Sequence, residues 1–428
     1  MVGVWKLDQV GTVRVTNPEN DKSLASREPT TLIDIFTTTV ATSPNERALS
    51  IKKDGTWVTH TWQQYYDVSR QFAQTLIALG VQPHEAVNVL GENCPEWLFT
   101  YMGTVLAGAV IAGIYGTSNA ETCQYISAHS LVVWNNDDVP QGTTYRIPVY
   151  SFSEFLKLGE SVDITLVDER MAVQLPGHCC SLIYTSGTTG PPKAAMISHD
   201  NLTWVTNAAL NAHPEARTAK RSEVRPHYFC GVPRVWEKMM DALKQKLGAA
   251  PEGLKKTLLM WALDRSATYL METQYGSTPS GFGIRFWVAD TLVLSKIRHA
   301  LGLDECTTFL IGAAPTSAEV MRFFASLNMP LYELYGQTES TGPFTFSMPN
   351  KWKLGSVGPP LDGTKARIDP DTGEIQYTGR HVFMGYLYDE EMTKKTLDED
   401  GWLYSGDIGE LDADGYLSIT GRIKELII

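Results

Sequence analysis

YTSGTTGPPK, residues 184–193, sets the hydroxyls of Thr185, Ser186, Thr188 and Thr189 beside Gly187 and Gly190 and ends on Lys193. It directly follows a short apolar run, Cys180–Tyr184. A buried strand ending in a glycine-rich turn leaves backbone N–H groups free to face an anion. The hydroxyls add donors, and the lysine adds a mobile positive charge. The stretch therefore reads as a phosphate loop. It is not a Walker loop, G-x-x-x-x-G-K-[ST]. Counting from Gly187, the second glycine position holds Pro192, and Ala194 follows the lysine. A flexible polar linker is the plain alternative, and the apolar run before the loop speaks against it.

Outward from the loop, helices and short apolar strands alternate, which favours an α/β architecture. Thr61 is placed to cap a helix over 61–80, with Tyr65, Val68, Phe72 and Leu76 on one face and Gly80 at its end. Ala86–Leu90 reads as a buried strand. Pro233–Leu247 reads as a helix whose apolar face holds Val235, Met239, Leu243 and Leu247. Phe309–Ile311 reads as a strand, and Ser317 is placed to cap a helix through Phe324. After about residue 355 two hairpins are expected, turning at Asp371–Gly373 and Asp412–Gly415, in a β-rich subdomain.

The charge balance excludes general nucleic-acid binding. The 428 residues carry 36 Lys and Arg against 48 Asp and Glu, a net charge of −12, whereas nucleic-acid binders present a basic face. Six cysteines, none in a C-x-x-C pair, read as reduced thiols. The start MVGVWKLDQV lacks the basic and apolar regions of a secretory signal. The uncharged stretch Leu98–Tyr115 is at the lower limit for a membrane span. Its glycines favour a buried helix running into a buried strand, with membrane contact as the alternative.

Five segments, in order, resemble the adenylate-forming superfamily of acyl-CoA synthetases and luciferases. They are YTSGTTGPPK with the following SHDNL (198–202), GAAP (312–315), YGQTES (335–340), GEIQYTGRHVFMGYL (373–387) and YSGDIGELDADGYLSITGRIKELII (404–428). GENCPEW (91–97), IYGTSNAETCQYI (114–126), GVPRVWEKM (231–239) and GRIKELII (421–428) are similar to bubblegum-type long-chain fatty acyl-CoA synthetases.

The resemblance implies a large N-terminal α/β domain over 1–420, made of two stacked α/β subdomains and a β-rich one. Residues 421–428 would begin a hinge to a C-terminal lid domain missing from this sequence. It implies joining of a fatty acid to AMP with release of pyrophosphate, then transfer to CoA. Thr185, Ser186, Gly187, Thr188, Thr189, Gly190 and Lys193 would hold the ATP phosphates. Thr338 would bond the α-phosphate and Glu339 would hold Mg²⁺. Gly312, Ala313, Ala314, Tyr335 and Gly336 would flank adenine. Asp407 would accept the ribose hydroxyls, with Arg422 adding a contact. Thr338, Glu339 and Lys193 would be the catalytic set. The implied location is cytoplasmic, or peripheral at the endoplasmic reticulum or another membrane. His199 reads as a loop brace more readily than as a base, and the tryptophans read as core.

The sequence departs from the family pattern in three places. Beyond the lid, segments near 131–144 and 211–224 look shortened, the second where an acyl-site strand and helix belong. These departures lead us to expect reduced stability and an impaired thioester step. They also keep two rival readings open: a non-catalytic nucleotide- or acyl-binding form, and an adenylating ligase for another carboxylic acid.

Overall fold

The computed structural model describes residues 3–114, 131–133, 148–185, 192–213, 226–249, 252–277 and 283–423. The chain divides into two compact units. The first comprises Met1–Asp21, Ser26–Trp204 and Arg380–Trp402, and the second Lys22–Ala25, Val205–Gly379 and Leu403–Ile428. The expected shortening near 131–144 falls mostly outside the described residues, as does that near 211–224 and the segment beyond Ile423.

In the first unit a five-stranded sheet runs in the order Gly385–Tyr386, Lys193–Ser198, Cys179–Thr185, Val110–Ile114, Ala86–Leu90. The last three are parallel, and Lys193–Ser198 returns antiparallel to Cys179–Thr185. The helix Trp62–Ala78 starts where its sequence predicts. Thr61 Oγ1 accepts from Gln64 N–H, and Gln64 Oε1 accepts from Thr61 N–H, a reciprocal capping box. Its stripe Tyr65, Phe72, Leu76 packs with Phe36, Phe99 and Phe155 into the main core. The uncharged stretch resolves into helix Pro95–Leu106 and strand Val110–Ile114, and Val105, Leu106, Val110 and Ala112 have no exposed surface. No described helix is long and apolar enough to cross a membrane.

In the second unit one sheet has the order Gly342–Phe346, Leu331–Gln337, Thr308–Gly312, Tyr228–Gly231, with the last three parallel. The helix expected at 233–247 forms over Pro233–Gly248, and Leu243 is buried as expected, but the buried face is turned away from Val235 toward Trp236. Trp236, Met240 and Leu243 are buried and Val235 is 40% exposed. The Trp236 ring decides the face: it packs edge-on against Phe229, Phe309 and Phe324. It also donates its indole N–H to Gly231 and Leu310 carbonyls.

Both expected hairpins form. Lys365–Ile368 pairs with Glu374–Thr378, and Leu403–Leu411 with Leu417–Arg422. Asp412 braces the second turn by accepting bonds from Asp414 and Tyr416 N–H. The expected β-rich subdomain is interrupted, however. Arg380–Trp402 belongs to the first unit, where Gly385–Tyr386 pairs with the strand that begins at Lys193.

Two fully buried side chains hold that excursion. Arg380 donates from Nε to Asp200 Oδ2 at 3.0 Å and from Nη2 to Oδ1 at 2.5 Å, with side chains 0% and 2% exposed. Asn201 Nδ2 donates to the carbonyls of Arg380 and Val382.

Candidate active site

The second unit gathers most of the expected nucleotide residues at strand ends. Asp407 lies on Leu403–Leu411 opposite Arg422, and its side chain is 7% exposed. Tyr335 donates its hydroxyl to Asp407 Oδ2 at 2.7 Å, and Arg422 donates Nε to Oδ1 at 2.8 Å. A carboxylate has about four acceptor positions. Each oxygen of Asp407 thus keeps acceptor capacity for a donor such as a ribose hydroxyl.

The turn before Asp407 is built for this orientation. Gly406 N–H donates to Glu374, whose carboxyl pKa is raised by burial, and Asp407 N–H donates to Ser405 Oγ. Tyr335 is buried beside this carboxylate, and burial pushes its phenol pKa well up. The phenol therefore stays protonated and remains a donor. Its ring meets Phe344 edge-on at 6.3 Å.

Gly336 has to be glycine, because a Cβ there would stand 1.8 Å from the Gly342 carbonyl oxygen. The antiparallel return after Tyr335 depends on that approach. Thr338–Ser340 then form a 3₁₀ turn, closed by Gln337 N–H donating to Ser340 Oγ, with Glu339 buried in it. Gln337 Nε2 also donates to Tyr377 Oη at 2.8 Å, and Tyr377 stacks on Phe344 at 4.3 Å. Gln337, Tyr377 and Glu374 were not among the expected site residues. They fall inside the motif segments, beside positions that were.

Gly312 ends its strand where a Cβ would lie 2.6 Å from Leu334 Cδ1. Ala313 follows with φ of 71°, a left-handed conformation costly for a side chain, and Ala313 and Ala314 are exposed. Glu333, on the neighbouring strand, is buried, and this pushes its carboxyl up to about 7. An apolar cavity of about 350 Å³ opens in the same unit. Val205, Ala209 and Leu210 of helix His199–Ala212 line it with Leu310, Pro343 and Phe346. Tyr228 and His213 close one side, His213 lying 4.9 Å from the Phe346 ring.

The first unit carries the two antiparallel strands that flank the expected phosphate loop. Ser186, Gly187, Thr188, Thr189 and Gly190 lie outside the described residues. Thr185 and Lys193 flank them as paired residues of the two strands, and the Lys193 ammonium sits 5.3 Å from the centre of the Tyr386 ring. His199 is a brace. Its Nδ1 accepts from Leu32 N–H and its Nε2 bonds Gln174 Oε1, which fixes a neutral ring. Burial lowers its pKa to about 4.

The sequence profile of the AMP-binding enzyme family matches residues 36–222 and 211–387. The chain is 37% identical to the long-chain-fatty-acid–CoA ligase ACSBG2 of Xenopus laevis, covering 99% of this chain and 67% of that protein. It is 37% identical to ACSBG2 of Gallus gallus over 99% and 65%. It is 35% identical to ACSBG1 of Mus musculus over 99% and 68%. The chain thus spans about two thirds of the length of these relatives, which are of the bubblegum type that its segments resemble. Solved structures share the fold. VinN superposes with a TM-score of 0.64 at 19% identity, over 92% of this chain and all of that one. A fatty acid AMP ligase from Legionella pneumophila superposes with 0.62 at 19% identity, over 93% and 77%.

Proposed function

Because this chain belongs to the AMP-binding enzyme family, we propose that it activates a long-chain fatty acid with ATP. The first product is an acyl-adenylate with release of pyrophosphate, and the thioester with CoA follows. A carboxylate is a poor electrophile, and joining it to AMP supplies a leaving group. The relatives' names favour a long-chain acid.

The observation that carries the reading is the pairing of a fixed, buried carboxylate with an apolar cavity in one unit. Asp407, held by Tyr335 and Arg422, has the geometry to accept from both ribose hydroxyls. The cavity of about 350 Å³ offers apolar surface to an acyl chain. Thr338 is the donor for the α-phosphate, where charge develops during in-line displacement. In the first unit, Lys193 and the segment 185–193 are the phosphate grip.

Glu339 suits Mg²⁺. The ion takes one or two carboxylates and completes its shell from water and phosphate oxygens. Among the described residues no group of three or more His, Cys, Asp or Glu forms a cage, so a single buried carboxylate fits an ion delivered with ATP. When bound, the ion neutralises phosphate charge.

Calorimetric titration of residues 1–428 with MgATP, then with a non-hydrolysable long-chain acyl-adenylate mimic, tests the reading. Saturable binding of both, with fatty-acid-dependent exchange of pyrophosphate into ATP, is expected. Binding without exchange would make the polypeptide a binding module. No binding by a folded sample would sink the proposal.

A further inference from the structure

Lys193 is the first residue of the strand Lys193–Ser198 and stands opposite Thr185, at the loop end of that strand pair. A lysine carries its charge on a flexible four-carbon stem, so the ammonium spreads over many positions unless something holds it. A carboxylate would hold it, but would also compete with a phosphate for the charge. Among the described residues no ion pair takes Lys193. Its ammonium lies instead over the Tyr386 ring, 5.3 Å from the centroid. That is within the distance of about 6 Å at which a ring face attracts a cation. The ring has no net charge, so it holds the ammonium and leaves its charge available to an anion.

The strand pairing places the two side chains together. Tyr386 is directly opposite Ala195, and Lys193 is two residues before Ala195 on the same strand face. Lys193 is therefore the diagonal cross-strand neighbour of Tyr386, a separation that aromatic and long side chains can bridge. Ala195 is fully buried and small, and leaves the ring room.

The ring itself is fixed. Tyr386 is 4% exposed. Its N–H donates to Thr393 Oγ1 at 2.9 Å, and Phe383 meets the ring edge-on at 4.9 Å. Met384 and Leu387 N–H donate to the carbonyls of Met196 and Ala194, which closes the pairing on either side. The N-terminal segment holds the other edge: Val4 N–H donates to the Met384 carbonyl, and Tyr388 N–H to that of Trp5. The excursion Arg380–Trp402, anchored on Asp200 and Asn201, thereby brings a rigid ring to a flexible lysine.

We propose that Tyr386 is a positioning residue for Lys193, its ring holding the ammonium at the strand end, charged and ready for the outer phosphates of ATP. The proposal rests on the reading of Lys193 as a phosphate ligand.

Reductive methylation with isotopically labelled formaldehyde turns each lysine into a dimethylammonium probe that keeps its charge. In the 428-residue chain the Lys193 methyl signal, assigned by its loss in Lys193→Arg, should lie upfield of those of exposed lysines, because the Tyr386 ring current shields it. Tyr386→Phe should keep that shift and Tyr386→Leu should abolish it. In calorimetry Tyr386→Leu should weaken MgATP about fivefold and AMP less than about twofold, and Tyr386→Phe should match the parent. A purely structural role would move both nucleotides together. If Tyr386→Leu melts early, the spectra of the parent and of Tyr386→Phe decide. Three results would overturn the proposal: an unshifted Lys193 signal in the folded parent, a shift that survives Tyr386→Leu, or equal loss of MgATP and AMP binding. A shifted signal in a parent that binds no MgATP would count against the proposed activity and leave the lysine–ring contact standing.

Discussion

Tyr335 and Asp407 stand 72 residues apart in sequence and meet with the phenol oxygen 2.7 Å from the carboxylate. The contact joins the strand Leu331–Gln337 to Leu403–Leu411. A bond from a neutral donor to a buried carboxylate is worth about 1.5–3 kcal/mol. Tyr335→Phe should weaken MgATP binding at least about tenfold and leave the fold intact. Asp407→Asn should cost more, because the amide cannot accept on both arms. Calorimetry checks both, and an unchanged dissociation constant for Asp407→Asn would remove this residue from the nucleotide site.

The cavity makes a separate prediction. Ala209→Trp fills space lined by Leu310 and Phe346. It should abolish binding of a long-chain acyl-adenylate mimic and spare MgATP. Equal loss of both ligands would point to general unfolding, and retention of both would place the acyl chain elsewhere.

Arg380 and Asp200 form a pair with almost no solvent contact. Asp200→Ala leaves a buried guanidinium uncompensated and should destabilise the protein by about 3–5 kcal/mol, read as a lower urea midpoint. Replacing both residues by apolar ones of similar size should cost less than Asp200→Ala alone. The opposite order would mean that the pair contributes net stability.

Glu333 gives a pH dependence. Burial raises its carboxyl from 4.5 to about 7, so the folded state favours the protonated form. That contribution is complete below pH 4.5 and is lost as pH rises through about 7. Glu333→Gln should therefore raise Tm above pH 7 and leave it unchanged near pH 4.5, with a difference on the order of 3 kcal/mol. Parallel melting curves for parent and variant across that window would contradict the assignment.

Much of the fold was legible because its signals are local. A capping threonine with glutamine three residues on marks the start of Trp62–Ala78. Asp412 and Gly415 mark a turn through short-range bonds and a φ of 83°. The motif residues of the proposed nucleotide site were picked out in the same way, since spacing within a segment survives in sequence. The buried face of Pro233–Gly248 was not. Val235 and Trp236 both fit an apolar stripe, and only the rings of Phe309 and Phe324, brought in from other elements, select Trp236.

By itself, the sequence determined the family, the helix and turn boundaries, and the motif segments from which phosphate and ribose roles are proposed. Tertiary structure decided which groups are already committed. It spends both nitrogens of His199 on bracing and brings Tyr335 and Arg422 to opposite oxygens of Asp407. It also returns Arg380–Trp402 to the first unit through an ion pair spanning 180 residues. The physical reason is the range of the forces. Caps, turns and periodicity act over a few residues. Burial, and the electrostatics it amplifies, depends on which distant side chains share a dry interior.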